Sequence, residues 1–452
     1  MTGPYILTII FVAIILMIVA IVKFKQHPFL VLILTAIFVG LFTGLDGATI
    51  IATVKSGFGN ILASIGIVIL AGTMIGTILE KTGAALTMAN SILNIVGEKK
   101  SVLTMGMTGY VTGIPVFCDS GFVILTPIAK ALANSNNMSL AVMATALSGG
   151  LYATHCLVPP TPGPIAMAGT LNANLGLTIL IGLVISIPVT LIAILYAMLV
   201  GRRVHIPANS DTTVSELLDK YGKLPSALHS FAPILVPIVL IAIQSVVNFP
   251  IISNFLLKSS IGEFIKSVLT FFGDPVIALI IGVFVAMTLI PKSSKKETLT
   301  WLSDGITNSA SILAITGAGG ALGAVLQKLP IADVVGELVL GLGIGAVLPF
   351  LIAALLKTAM GSSTVAMITT SAMIAPMIES LGFGSDLGRV LVIMAIGAGS
   401  MTVSHANDSF FWVVSQFSNM DTKAAYKCQT GVTAVMGVTT LAMVLLLSKL
   451  FL

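Results

Sequence analysis

Uncharged apolar runs recur along the whole chain and alternate with short polar breaks. Runs near 5–22, 28–45 and 58–79 read as membrane spans, because about 20 apolar residues at about 1.5 Å rise each cross a hydrocarbon core of about 30 Å. A short amphipathic stretch, 83–97, follows and ends in Glu98, Lys99 and Lys100. The next two apolar pieces, about 101–114 and 121–133, are each too short for a comfortable crossing. Between them lies the turn-rich run GIPVFCDSG (113–121), a pattern that predicts a re-entrant hairpin over about 101–134 with its tip inside the membrane. A broken span comes next, helical over about 139–153, interrupted over 154–164 and briefly resumed. A full span at 176–200 closes this half.

After a polar stretch at 201–230, the order repeats: spans near 231–249, 275–290 and 305–326, a weak amphipathic piece, two short pieces within 346–378, a broken segment and a last span. The expected fold is an all-α polytopic membrane protein of about ten full spans plus two hairpins. A β-barrel would show short alternating segments, which the sequence lacks.

Matching positions support an internal duplication. Gly72, Gly76, Glu80 and Lys81 align with Gly319, Gly323, Gln327 and Lys328 at an offset of 247, Pro127 with Pro376 at 249, and His155 with His405 at 250. The chain therefore divides into a first repeat over 1–200, a connecting loop over 201–230 and a second repeat over 231–452, with the second hairpin at about 346–378. Basic residues orient it. Lys23 and Lys25, Lys99 and Lys100, Arg202, Arg203, Lys220 and Lys223, and Lys292, Lys295 and Lys296 all fall in loops expected in the cytoplasm. Both termini are then outside and the two repeats are inverted, with one hairpin entering from each face. Inverted repeats with broken helices meeting at mid-membrane are the signature of a secondary transporter.

Composition narrows the class further. Of 452 residues 56% are hydrophobic and 9% charged, against about 25% charged in a globular domain, which argues against a soluble protein. The net charge of +5 lies largely in short loops, so it reports orientation rather than nucleic-acid binding. Cys118, Cys156 and Cys428 have no metal or disulfide spacing. The apolar start lacks the basic leader and cleavage site of a signal peptide and reads as the first span. No GxxxxGK[ST] loop, strand-borne GxGxxG or HExxH is present, so no nucleotide, metal or other cofactor is expected.

A charge inside a membrane segment costs about 2.5–3.5 kcal/mol on insertion scales, so each one asks for a reason. Five titratable residues qualify: Asp119 at the first tip, Lys357 at the edge of the second, Asp408 in the last break, and His155 and His405. Asp119 reads either as a proton carrier, beside Cys118 and Ser120, or as the cap of a helix starting at Gly121. Lys357 precedes TAMGSST (358–364), where Gly361, Ser362, Ser363 and Thr364 and the amides of a helix beginning near Val365 would form an anion site for a carboxylate. The competing reading is a lysine that snorkels to the interface. His155 lies before the proline run 159–164, and His405 lies in SHAND (404–408); with Thr161 and Asn407 they offer hydrogen bonds to substrate hydroxyls. Either histidine is also suited to holding a broken helix.

Four motifs, GIPVFCDSGFVIL (113–125), HCLVPPTPGP (155–164), GSSTVA (361–366) and SHAND (404–408), together resemble the gluconate permeases, a family of proton symporters in the ion transporter superfamily. The resemblance covers nearly the whole chain. It implies uptake of gluconate or a related sugar acid or hydroxy acid across a bacterial inner membrane, coupled to proton flow. Family members also carry D-serine, glycerate or keto-sugar acids. The family commonly has arginine where this chain has Lys357, which replaces a bidentate fork by a point charge.

The expected mechanism is alternating access. Lys357 and the 361–364 amides hold the carboxylate; His155, Thr161, His405, Asn407 and Asp408 bind hydroxyls; Asp119 carries the proton, with His155 or Asp408 as runner-up. A sodium-coupled carboxylate transporter and a channel are the rival readings, and no nucleophile and base can be paired from spacing to suggest an enzyme. A homodimer would supply a stationary scaffold for the moving elements.

Overall fold

The computed structural model describes residues 3–208, 224–248, 250–329, 345–406 and 408–452. Among these there are helices and no strands. The first half comprises α1 (Gly3–Val22), α2 (Pro28–Phe42), α3 (Gly47–Lys81), α4 (Ala84–Val96), α5 (Ser101–Thr112), α6 (Cys118–Ser135), α7 (Leu140–Leu157), α8 (Pro162–Thr170) and α9 (Leu175–Leu199). The second half comprises α10 (Ala227–Val247), α11 (Pro250–Leu256), α12 (Ser260–Gly273), α13 (Pro275–Met287), α14 (Thr298–Leu326), α15 (Val347–Met360), α16 (Ser363–Ile374), α17 (Asp386–Met401), α18 (Ser409–Phe417), α19 (Thr422–Ala425) and α20 (Gly431–Phe451).

Six helical stretches of the described residues are long and apolar enough to cross a membrane, and a seventh is added if α12 and α13, bent by 62° at Asp274, count as one span. Shorter apolar helices include α2, α4, α15 and α16. The helix α12 escapes a search for uncharged runs because Glu263 and Lys266 interrupt it. Most of the connecting loop (209–223) and the weak amphipathic piece after α14 (330–344) lie outside the described residues.

The two longest helices, α3 and α14, pack along one another. Glycine makes the approach close enough. A Cβ on Gly57 would stand 2.6 Å from the Gly320 carbonyl, and one on Gly320 2.6 Å from the Gly57 carbonyl. Bare backbone at such a crossing lets dispersion and weak polar contacts hold two helices that gain little from hydrophobicity in lipid. Asp46 starts α3 by accepting the Thr49 amide at 3.0 Å, and Asn174 starts α9 by accepting that of Leu177 at 2.9 Å.

The two halves share a contact pattern. The helix α5 packs on α7 and α15 on α17, while α7 lies against α9 and α17 against α20. Across the halves, α6 packs on α18 and α8 on α16, so each hairpin's outgoing helix meets the distal part of the other half's broken helix.

Both hairpin turns fall where the sequence suggests, at 113–117 and at Gly361 and Ser362. The helix α3 starts at Gly47 and α14 at Thr298, eleven and seven residues before their expected starts, and around the two hairpins and the first break three further boundaries differ. The helix α6 begins at Cys118 rather than Gly121, so Asp119 lies inside its first turn and caps nothing; Phe117 is the N-cap and makes no side-chain bond. The helix α7 continues through Leu157, which puts Thr154 and His155 in its last turn instead of in the break. Residues before Val158 still have amides to donate, whereas Val158, preceding Pro159, is driven to an extended conformation (φ −120°, ψ 117°). After the α15 break, α16 starts at Ser363, two residues before the expected start.

Candidate functional site

The second hairpin turn positions Lys357. Gly361 closes α15 with φ +79°, a left-handed conformation that glycine adopts without strain, and its amide bonds the Lys357 carbonyl at 2.8 Å. Ser362 then caps α16 by accepting the Val365 amide at 3.3 Å. This tight reversal lets the Lys357 side chain fold over its own turn. The ammonium is fully buried and donates to the Gly361 carbonyl (2.7 Å), Ser363 Oγ (3.3 Å) and Asp408 Oδ2 (2.6 Å). Three protons meet three acceptors, so Lys357 reaches into the protein and does not snorkel.

Asp408 comes from the break between α17 and α18. Its Oδ2 accepts from Lys357 and from the Ser404 hydroxyl, and its Oδ1 caps α18 through the Phe410 amide at 3.2 Å. The break itself is anchored on the last helical stretch, where the Thr430 hydroxyl donates to the Ser404 carbonyl and Thr433 Oγ1 accepts the Ser404 amide. His405 is half-buried outside the ion pair; its Nε2 lies 3.0 Å from the Thr358 carbonyl, a contact it makes as donor, which ties the break to the hairpin. Asn407 lies outside the described residues.

The first half contributes the opposite wall. Tyr152, fully buried on α7, shares a hydrogen bond with Ser363 Oγ and places its ring 5.7 Å from the Lys357 ammonium. Its ring stacks on Phe410 (5.1 Å) and runs parallel to the His155 imidazole (6.2 Å), and Phe122 of α6 meets Phe410 edge-on. Cys118, Asp119 and His155 lie within electrostatic reach of Lys357 and Asp408. Two atoms in this wall, Asp119 Oδ1 and His155 Nδ1, are buried without a hydrogen-bond partner among the described residues. Such atoms ask for a ligand, a water or a proton.

The remaining candidates are dispersed. The Thr161 hydroxyl donates to the carbonyls of His155 (3.0 Å) and Val158 (2.7 Å), so it bridges the first break and retains only acceptor capacity for a ligand. Ser120 and Thr364 are half-buried at the two tips. Tyr152, Ser404 and Phe410 are the residues that sequence reading missed. Tyr152 was accessible in principle, since it precedes His155 by three residues and shares its helix face. Among the described residues, no three His, Cys, Asp or Glu side chains group to hold a metal ion.

Several helices long and apolar enough to cross a bilayer thus surround an ion pair buried where two chain breaks meet, as a multi-pass membrane protein allows. The chain belongs to the GntP family: the profile of the GntP family permeases matches residues 5–450. It is 33% identical to a gluconate permease of Pseudomonas aeruginosa, over 98% of each chain. It is 31% identical to the D-serine transporter DsdX of Escherichia coli, again over 98% of each. Its fold is similar to the solved structure of MtrF from Neisseria gonorrhoeae, of a class of antimetabolite efflux pumps, with a TM-score of 0.65 at 16% identity, covering 94% of this chain and 96% of that one.

Proposed function

We propose that this permease is a proton-coupled symporter that takes up gluconate or a related sugar acid or hydroxy acid across a bacterial inner membrane. The observation that carries the reading is the buried Lys357–Asp408 pair, beside which Asp119 and His155 each present an unpartnered buried atom. A substrate carboxylate can take the place of the Asp408 carboxylate on Lys357 with no change in the number of buried charges, provided a proton accompanies it to neutralise the displaced group. Substrate and proton are thereby obliged to travel together. The exchange leaves the proton on Asp408, and Asp119 is the group that carries it there, with Asp408 itself or His155 as the alternative carrier; Cys118, Ser120, His155, Thr161, His405 and Asn407 are assigned to the substrate's hydroxyls, and Gly361, Ser362, Ser363 and Thr364 to its carboxylate.

The architecture in this reading is a pair of inverted repeats of about ten spans and two hairpins, 1–200 and 231–452, with both termini outside. The matched contacts of α5–α7 with α15–α17, and the reciprocal packing of α6 on α18 and α8 on α16, support it. Alternating access then consists of rocking the hairpins against the broken helices. Relatives named as a gluconate permease and a D-serine transporter support small hydroxylated carboxylates as the substrate class.

The test is uptake of radiolabelled gluconate into proteoliposomes under an imposed inward proton gradient, with glycerate and D-serine as competitors. Accumulation that an uncoupler abolishes and sodium removal leaves intact is the expected result. Accumulation that needs sodium and ignores the uncoupler overturns the coupling ion. Conductance without uphill accumulation overturns the symporter altogether.

A further inference from the structure

The helix α18, capped by Asp408, ends beside a second, unrelated feature. There a cavity of 380 Å³ is lined in part by Arg203, His205, Asn419, Asp421, Lys423 and Lys427. Three permanent cations face one carboxylate, and Asp421 is already engaged in accepting the Ala424 amide at 2.7 Å. The wall is fixed rather than loose. The Ser139 hydroxyl donates to the Val204 carbonyl (2.6 Å) and accepts the Ile206 amide (2.9 Å), and the Leu140 amide donates to the Ile206 carbonyl (2.9 Å). On the other side, the Tyr196 hydroxyl holds the Lys427 carbonyl at 2.7 Å. The basic side chains themselves are exposed at the rim.

The helix α9, which leads into Arg203 and whose Tyr196 bonds the Lys427 carbonyl, exposes an apolar stripe: Leu191, Leu195 and Leu199 are spaced by about one helical turn and are 47%, 44% and 59% exposed. Tyr426, 43% exposed, precedes Lys427, and exposed amphipathic rings of this kind favour the headgroup region. We propose that the cavity binds the phosphate of an anionic phospholipid, whose acyl chain lies along the Leu191, Leu195 and Leu199 stripe. Phosphate is the anion that several converging cations at a membrane surface recognise. The adjoining stripe favours a lipid over a soluble phosphate, which would leave that surface unused.

The position gives the lipid a route to the transport site. Lys427 belongs to the π-helical turn Tyr426–Thr430, whose Thr430 holds Ser404, the hydroxyl donor to Asp408. A bound headgroup therefore steadies the segment that anchors the ion pair.

Native mass spectrometry of the full-length protein in detergent tests the assignment with phosphatidylglycerol, phosphatidylcholine, glycerol 3-phosphate and inorganic phosphate as probes. Phosphatidylglycerol is expected to bind at least tenfold more tightly than phosphatidylcholine, and Arg203→Gln/Lys423→Gln/Lys427→Gln is expected to erase the preference. The single variant Lys423→Gln, at an exposed side chain, is expected to lose at least threefold should the triple variant not fold. Equal affinity for the two lipids, or a preference that survives these substitutions, overturns the site. Soluble phosphates that bind as tightly as phosphatidylglycerol overturn the lipid as its ligand. The readout involves neither transported substrate nor gradient, so it stands or falls independently of the symport reading.

Discussion

Lys357 Nζ and Asp408 Oδ2 lie 2.6 Å apart with the lysine fully buried, joining the second hairpin to the last break. Among the described residues neither charge has another to neutralise it at bonding distance, so removing one partner strands the other in a low-dielectric interior. Lys357→Ala or Asp408→Ala is expected to destabilise the protein by about 3–5 kcal/mol and to abolish uptake. The double replacement Lys357→Met/Asp408→Leu is expected to cost less than either single change, though it too is inactive. Thermal unfolding of the four proteins in one detergent checks this; purely additive losses would show that the pair is not coupled.

Tyr152 makes a different kind of contact, a neutral hydroxyl bond to Ser363 together with a ring beside the Lys357 ammonium. Tyr152→Phe keeps the ring and its stacking on Phe410 and removes only the hydroxyl. Since a net hydrogen bond is worth about 1 kcal/mol, half-saturation for the carboxylate is expected to rise about fivefold with the fold intact. Uptake kinetics read this directly; an unchanged half-saturation would remove Tyr152 from the binding wall.

The sequence makes the charged members of the candidate site visible and conceals their pairing, for a physical reason. Lys357, Asp408 and His155 stand out because charge and imidazole are costly where the chain is otherwise apolar, and each lies at or beside a break that proline, glycine or serine announces. That Lys357 meets Asp408, 51 residues away, depends on how two short helices cross, which spacing does not encode. Tyr152 went unnoticed because it lies inside a continuous helix of small and apolar residues, where an aromatic reads as core. Asp119 does not cap a helix because α6 starts one residue before it; serine and aspartate mark many helix starts, but here a phenylalanine occupies the cap. Gly72, Gly76, Gly319 and Gly323 stand out in the sequence by their common offset, and each brings a long helix close to a chain break, a hairpin turn or the helix that follows it.

Those glycines carry a graded prediction. A Cβ at Gly76 would stand 2.5 Å from the Pro115 carbonyl at the first tip, one at Gly72 3.0 Å from that of Pro160, and one at Gly323 3.3 Å from that of Ala372. Backbone atoms yield little, so Gly76→Ala is expected to be the most destabilising, by about 1–3 kcal/mol after overpacking, and Gly323→Ala the least. Alanine's better helix propensity, about 0.8–1.0 kcal/mol over glycine, offsets part of each cost and brings Gly323→Ala near neutrality. Ranked unfolding temperatures test the order, and a reversed ranking would mean that the tip is free to move away from α3.

Asp119 gives the sharpest separation of coupling from folding. Its Oδ1 is buried without a partner and its Oδ2 has only the Cys118 thiol at 3.8 Å, so the native fold leans little on this carboxylate. Asp119→Asn preserves shape and removes the ability to gain and lose a proton. Stability is expected to stay within about 0.5 kcal/mol of the parent, as for substitutions that break no packed or bonded feature. Exchange of labelled for unlabelled gluconate across the proteoliposome membrane, which needs binding and alternation but no net proton movement, is expected to persist. Accumulation driven by an inward proton gradient is expected to vanish. If Asp119→Asn still accumulates substrate against its gradient, the proton travels on another group, and the same pair of assays applied to Asp408→Asn and His155→Gln identifies which.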